Sequence, residues 1–532
     1  MKQLLNYTIS ILLLVNVSGC SSDYLDTAPT KDTSIATVFE TTENAAMAVN
    51  GLAKIMVRNT EYPQQYGGGE GSIKLAYGIY PGNTVTASGT SNYGIGVNVA
   101  SGSYHENSAS DYTSFPWRYY YQLVSNANSI LANIDAALGP EAEKQRIKAQ
   151  ALTYRAYAFT MLVQLYGYRW TDSNNGATPG IVLRLKPTAE PIPLSTMADT
   201  YKQIYSDLDE AIRLFQASGW TRATDDYWTP NINVAYATYA RAAINRLDYK
   251  TAIKMSVSAR IGYPLMTVAE YQSGFCNPNR EWIWGSYSNT EQHQSWYAYH
   301  SYIAYNGYST ASTSGGCKRI VKDYYEKIPA TDIRKGLFLD PAGYPSTAFD
   351  PLNGEVLKGV RSDSRGQGLI DQAHARFPKL TPTQKIWTYM QFKIACNEMP
   401  GIGYLNHFRS SEMYLIEAEA QYLSGNETRA QQLLVELTKD SQRDPAYACT
   451  KTGEDLFNEI KFMSQIELWG EGFDWFMTKR WGDRIVHKSF AQGGNFLASC
   501  EGNFGPEEKN KQTWVIPLLE TDYNPLAKGL AP

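Results

Sequence analysis

Between Ala149 and Tyr166 the chain carries the pattern that most restricts its fold. Small or apolar residues recur at Ala149, Leu152, Ala156, Phe159, Val163 and Tyr166, steps of three and four that gather on one stripe of an α-helix. Alanines in such a stripe let a second helix approach closely. A partner lies just upstream at 121–138, where Leu123, Ala127, Ile130, Leu131 and Ile134 keep the same period and Gly139-Pro140 closes the segment. The design repeats. Segments 201–215 and 234–247 form a second pair, followed after Asp248 by 250–261, which Gly262 and Pro264 stop. Segments 413–423 and 428–437 form a third, joined by Ser424-Gly425-Asn426. Helix, short turn, helix is the signature of tetratricopeptide-like repeats. The spacing predicts a mainly α protein whose helical pairs, about 117–262 and 405–482, build a curved scaffold. The copies are too divergent and interrupted for a continuous solenoid.

Long loop-rich stretches without helical period interrupt the pairs at 61–115, 270–316 and 340–400. Insertions of this length in a compact protein are functional or disordered, and their aromatic content argues against disorder. Gly67-Gly68-Gly69, Gly94 and Gly96 are expected to act there as flexible punctuation.

The first residues read as a processing signal. Lys2 precedes an apolar stretch from Leu4 to Val17, shorter than the roughly 20 apolar residues a membrane span needs. The stretch ends at Val17-Ser18-Gly19-Cys20, which resembles a bacterial lipobox. Residues 1–19 are therefore expected to be a lipoprotein signal peptide, with Cys20 as the lipid attachment site and 20–532 as one domain. Acyl chains contribute about 0.8 kcal/mol per buried methylene, enough to anchor a protein without a transmembrane helix.

Composition narrows the partners. The formal net charge is −4 and only 19% of residues are charged, so there is no basic excess to hold a phosphate backbone, and nucleic acid is not expected as a partner. Cys276, Cys317, Cys396, Cys449 and Cys500 are scattered, without metal-ligand or redox spacing. No Gly-x-Ser-x-Gly elbow, P-loop or His-Glu-x-x-His occurs. Among the six histidines His293 and His300 stand seven apart, but in a loop-like context. No metal, no cofactor and no catalytic residue is expected. Tyrosine outnumbers phenylalanine by 39 to 17, with 12 tryptophans, a bias toward rings with a polar tip that suit half-wet surfaces.

A set of ordered motifs then resembles one family. Cys20 is followed by Tyr24-Leu25-Asp26 and Pro29; Tyr154-Arg155-Ala156-Tyr157 and Leu165-Tyr166-Gly167 follow; then Asn231 through Ala243, Asp248-Tyr249 and Gly262-Tyr263-Pro264-Leu265. The most specific run is Ile466-Glu467-Leu468-Trp469-Gly470-Glu471-Gly472-Phe473-Asp474-Trp475 with Lys479-Arg480-Trp481-Gly482, and Ile516-Pro517, Glu520 and Asn524-Pro525 close the chain. Over essentially its whole length the chain resembles the SusD/RagB family of outer-membrane nutrient-binding lipoproteins. It departs from the family in Trp469, where smaller residues are usual, and in a short terminal segment. The resemblance implies a non-enzymatic, lipid-anchored protein on the cell surface. It implies capture of an oligo- or polysaccharide and its delivery to a TonB-dependent, SusC-like outer-membrane transporter, over which the protein sits as a lid. It also implies that Glu467, Glu471 and Asp474 serve the fold, capping and pairing with Arg480 at a helix exit, and are not a catalytic carboxylate set.

Nine Trp or Tyr residues fall among the 28 positions 281–308, against 13% aromatic residues overall. Trp282 and Trp284 flank Ile283 in a strand-like run assigned to packing. Beyond it Gln292, Trp296, Tyr297 and Tyr299 mix amide and ring. Carbohydrate sites use that mixture: rings stack on the apolar sugar face while amides and carboxylates pair with hydroxyls. A second wall is expected from Tyr77, Tyr80, Asn92 and Tyr93. The alternatives are a peptide-binding importer subunit of the same family, for which apolar pockets and open strand edges are expected, a surface glycosidase, which needs only two carboxylates about 5–10 Å apart, and a repeat protein used for assembly.

Overall fold

The computed structural model describes residues 35–60, 67–87, 94–288, 298–311, 316–352, 354–357, 366–381 and 384–527. Its scaffold is helical. Helix α1 (Thr42–Val57) starts at Thr41, whose side chain accepts from Asn44 N–H. Helices α2 (Asp111–Asn133) and α3 (Glu141–Tyr166) form the first pair. Helix α4 (Met197–Ser218), capped by Thr196 and ended by left-handed Gly219, precedes α5 (Ile232–Asn245), capped by Asn231. Asp248 then caps α6 (Tyr249–Ala259). In the C-terminal half, α7 (Ser410–Leu423) and α8 (Glu427–Val435) form a tight pair, followed by α9 (Gly453–Glu467) and α10 (Asp474–Trp481). The predicted helical pairs are present.

Two details differ from the periodicity, each for a physical reason. The first is that α3 does not show a single stripe. Every residue from Ala149 to Tyr166 is buried, because α1, α2, α4 and α5 all pack around it. A helix apolar on every side is a central one. Its polar groups are satisfied internally, as where Arg155 donates to Asp207 at 2.6 and 2.8 Å and to Asn128 at 2.8 Å.

The second is that α2 begins ten residues before the predicted segment. Pro116 lies inside it, cannot donate to the carbonyl four residues back, and hides the helix from a periodicity reading. The freed Tyr112 carbonyl accepts instead from the Tyr77 hydroxyl at 2.6 Å. One turn on, the Tyr166 hydroxyl stands between two groups of the same ladder, accepting from Trp117 N–H at 3.0 Å and donating to the Thr113 carbonyl at 2.6 Å. Side chains thus complete the ladder that the proline opened.

The described parts of the stretch 61–115, residues 67–87 and 94–115, carry more regular structure than expected of loops. Gly69–Ser72 is a helical turn that continues as a π-helix, Ile73–Ile79, ahead of strand β1 (Val85–Ala87). Its glycines serve close approach. At Gly69, with φ +56°, a Cβ would lie 2.2 Å from the Met56 carbonyl oxygen, and at Gly78 it would lie 2.1 Å from that of Gly472. The stretch 270–316 contributes strand β2 (Trp282–Ser286) and a short helix, Tyr299–Ile303. Strand β3 (Lys318–Ile320) pairs antiparallel with β1, and β2 pairs with β4 (Leu405–Arg409). Trp282, Ile283 and Trp284 are fully buried, as expected of packing residues. The stretch 340–400 carries the helix Gln367–Arg376 over a smaller apolar cluster in which the Phe377 and Phe392 rings stack at 3.9 Å.

The C-terminal half is held by buried charge. Glu281, Asp332, Glu467 and Glu471 face Arg334, Lys393, Arg409 and Arg443 in one network whose side chains are all at most 7% exposed. The acidic residues of the signature run do serve the fold, but with other partners than expected. Arg480 pairs with Glu419 at 2.6 Å, and Asp474 accepts from the Thr84 N–H at 2.7 Å and hydroxyl at 2.8 Å. Trp469, the departure in that run, is buried and donates from Nε1 to the Thr84 carbonyl at 2.9 Å.

Candidate functional site

Strands β1 and β3 bring two of the predicted ligand-binding stretches to one place. Ala87, the last described residue before segment 88–93, is the register partner of Lys318. The Lys318 ammonium donates to the Gly316 carbonyl at 2.6 Å. It lies 5.7 Å from the Tyr80 ring centroid and 6.0 Å from that of Tyr302, on the helix Tyr299–Ile303. Burial pushes the Lys318 amine down to about 8. One flank each of segments 88–93, 289–297 and 312–315 is therefore mounted on a common frame of π-helix, strand pair and short helix.

Within this frame the sequence-predicted residues divide. Tyr77, Tyr80 and Tyr299 are 1%, 3% and 6% exposed, and the stacking surface expected of them is corrected to packing. The Tyr77 ring lies 4.8 Å from Trp514, and its hydroxyl is taken by the Tyr112 carbonyl. Tyr299 donates to the Gly470 carbonyl, and Tyr80 sits beneath Lys318. Asn92, Tyr93, Gln292, Trp296, Tyr297 and the lipid-attachment residue Cys20 lie outside the described residues, as does His293, while His300 is buried. Sequence reasoning missed Lys318 and Tyr302, which join the two stretches. Tyr302 was within the counted aromatic cluster, but nothing in the local sequence ties Lys318 to Tyr80.

One interior space is too small for a sugar. A space of about 40 Å³ lies between Glu70, Lys74, Arg241, Glu412 and Arg480, room for a few waters and far below the roughly 300 Å³ of a small-molecule pocket. It is lined by paired charges: Arg241 donates to Glu412 at 2.8 and 2.9 Å, and Glu70 accepts from the hydroxyls of Tyr119, Tyr120 and Tyr157. Among the described residues no group of three or more His, Cys, Asp or Glu is placed to hold a metal ion, and no helix is long and apolar enough to cross a membrane.

A helical scaffold of tetratricopeptide-like pairs with long insertions defines a fold class and not an activity. The comparisons with known proteins place it more narrowly. Residues 23–244 match the SusD-like family described as starch-binding and associating with the outer membrane, and residues 383–523 match the SusD family. The chain belongs to the SusD/RagB family. Its fold is similar to a SusD-like carbohydrate binding protein from Bacteroides vulgatus, at 21% identity and a TM-score of 0.72 over 92% of this chain and 98% of that one. A SusD superfamily protein from Bacteroides thetaiotaomicron aligns at 19% identity and 0.68 over 92% and 100%. Surface glycan-binding protein A from the same organism aligns at 16% identity and 0.65 over 91% and 98%. No curated protein matches by sequence.

Proposed function

We propose that this protein is a cell-surface glycan-binding lipoprotein, anchored through Cys20. It captures an oligo- or polysaccharide with Gln292, Trp296, Tyr297, Asn92 and Tyr93 and delivers it to a TonB-dependent, SusC-like transporter without hydrolysing it. The observation that carries this reading is the convergence of the ring-rich stretches on the frame around Lys318 in a member of the SusD/RagB family. Solved relatives of the same fold described as carbohydrate- or glycan-binding support it.

Native affinity gels cast with starch, xylan, pectin, mixed-linkage β-glucan or mucin glycan test the reading. Retardation by at least one polysaccharide is expected, with no release of reducing ends. Sugar release that scales with protein and disappears on one carboxylate substitution makes it a glycosidase; no retardation by any of the five removes the glycan reading.

The anchor has its own test. Wild-type protein is expected in the membrane fraction and in the detergent phase on Triton X-114 partition, and Cys20→Ala in the aqueous phase, because removing the acylation site removes every buried methylene that holds the chain at a bilayer. Wild-type protein recovered wholly in the aqueous phase would rule the anchor out.

A further inference from the structure

The described tryptophans fall into two groups. Trp117, Trp282, Trp284, Trp387, Trp469, Trp475 and Trp514 are buried, whereas Trp170, Trp220, Trp228 and Trp481 are half-buried. Of the half-buried ones, three have a cation over the ring: Arg246 lies 5.4 Å from Trp170, Arg146 lies 5.5 Å from Trp220, and Arg480 and Lys461 lie 5.6 and 5.8 Å from Trp481. Among the described residues no cation covers Trp228. Among the described residues its ring neighbour is the half-buried Tyr287, edge-on at 5.6 Å and 65°, and no described group accepts from its Nε1.

The backbone that carries this ring is fixed on both sides. Trp228 and Thr229 N–H groups donate to Asp226 Oδ1 at 3.1 and 2.9 Å. The Trp228 carbonyl accepts from Trp284 Nε1 at 3.0 Å and from the Tyr154 hydroxyl at 3.4 Å. The Tyr227 carbonyl accepts from Gly285 N–H at 2.9 Å. The loop between α4 and α5 is thereby clamped to β2, whose end leads through Tyr287 and Ser288 into segment 289–297. Trp228 is far from that segment in sequence and beside its entry in space. A half-buried indole on a backbone fixed at both sides, with an edge-on tyrosine and a carboxylate beside it, is what recognition of a pyranose ring asks for: apolar C–H groups on the indole, hydroxyls on the polar groups around it.

We propose that Trp228 and Tyr287 form a stacking subsite for one sugar unit of the bound glycan, extending the ligand surface from segment 289–297 onto the α4–α5 loop. The inference rests on the glycan reading above and adds to it a second anchoring point, so that a chain of several sugar units spans both. Ring anchors of this kind cost about tenfold or more in affinity when truncated.

The test uses the polysaccharide that retards the wild-type protein. Trp228→Ala is expected to bind it about tenfold more weakly at an unchanged melting temperature, and Trp228→Phe to recover most of the loss. Hydroxyl-radical footprinting of the wild-type chain reads the same contact without a variant: Trp228 oxidation should fall on adding that polysaccharide. Wild-type-like affinity in Trp228→Ala, or Trp228 oxidation unchanged by the ligand, overturns the subsite while leaving glycan binding in place. Wild-type protein that none of the polysaccharides retards overturns the subsite together with the reading it rests on.

Discussion

Replacing Glu467 by glutamine is expected to destabilise the protein by about 3–5 kcal/mol, the cost of breaking a buried, hydrogen-bonded charge set on one side. Glu467 is fully buried and accepts from Arg443 Nε at 3.0 and 3.1 Å, Arg409 Nη1 at 2.9 Å and Arg334 Nη1 at 3.1 Å. Burial alone would push its carboxyl up. The guanidiniums of Arg443, Arg409 and Arg334, with Lys393, outweigh burial and hold it well below the usual carboxylate range. The four acidic and four basic members of the network balance, which is how so much charge is tolerated in a core; the glutamine amide leaves the basic side one charge in excess, buried away from bulk solvent.

The pH dependence follows from the direction of the shift. A carboxyl whose folded pKa is depressed contributes stability that is fully present above its unfolded value, about 4.3 for glutamate, and is lost as pH falls through the folded value. Glu471, pushed up by burial but held low on balance by Arg409 and Lys393, acts in the same sense. The gap between wild type and Glu467→Gln in urea midpoint should therefore be largest near neutrality and narrow below about pH 4. Glu210→Gln, which breaks an exposed pair with Arg213 on α4, should leave the midpoint where it was. A Glu467→Gln protein as stable as wild type at pH 7 would mean that the network is neutral to the fold.

This network also shows where the sequence stopped being readable. The four-residue spacing of Glu467 and Glu471 predicts one helix face, but α9 ends at Glu467 and Glu471 lies in the turn before α10, between left-handed Gly470 and Gly472; the structural role that the family resemblance implies does not need that face. Their partners come from positions 334, 393, 409 and 443, and no local period encodes pairing at that separation. Helical pairs were legible because the stripe and the alanines lie in one segment. The start of α2 was not, since Pro116 breaks the pattern and the compensating Tyr77 hydroxyl comes from another stretch. Glycine carries no sign of which use it serves. At Gly69 and Gly78 it marks contact with a neighbouring backbone, and only the structure separates that from flexibility. Aromatic density had the same limit. It located the frame of the candidate site but could not tell a ring that faces a ligand from one that supports the loop.

Trp296→Ala and Tyr299→Ala are expected to fail in opposite ways, although only two residues separate them. Tyr299 is buried, its hydroxyl donates to the Gly470 carbonyl, and a Cβ on Gly71 would lie 2.9 Å from the Tyr299 Cβ. Its loss empties a packed position and should cost about 3–5 kcal/mol of stability, as for other large aromatic truncations. Trp296 belongs to the amide- and ring-rich run proposed to meet the glycan. Removing an anchoring ring from such a site costs about 2 kcal/mol or more in binding, roughly thirtyfold in affinity, with the melting temperature unchanged. Tyr297→Ala should behave as Trp296→Ala does. Measuring melting temperature and affinity for the same polysaccharide on each variant separates the two effects, because a core ring moves the first and a site ring moves the second. Trp296→Ala with a collapsed melting temperature and wild-type affinity would place that ring in the core beside Tyr299. Wild-type values of both would take the glycan contact away from segment 289–297 and leave the α4–α5 loop to carry it.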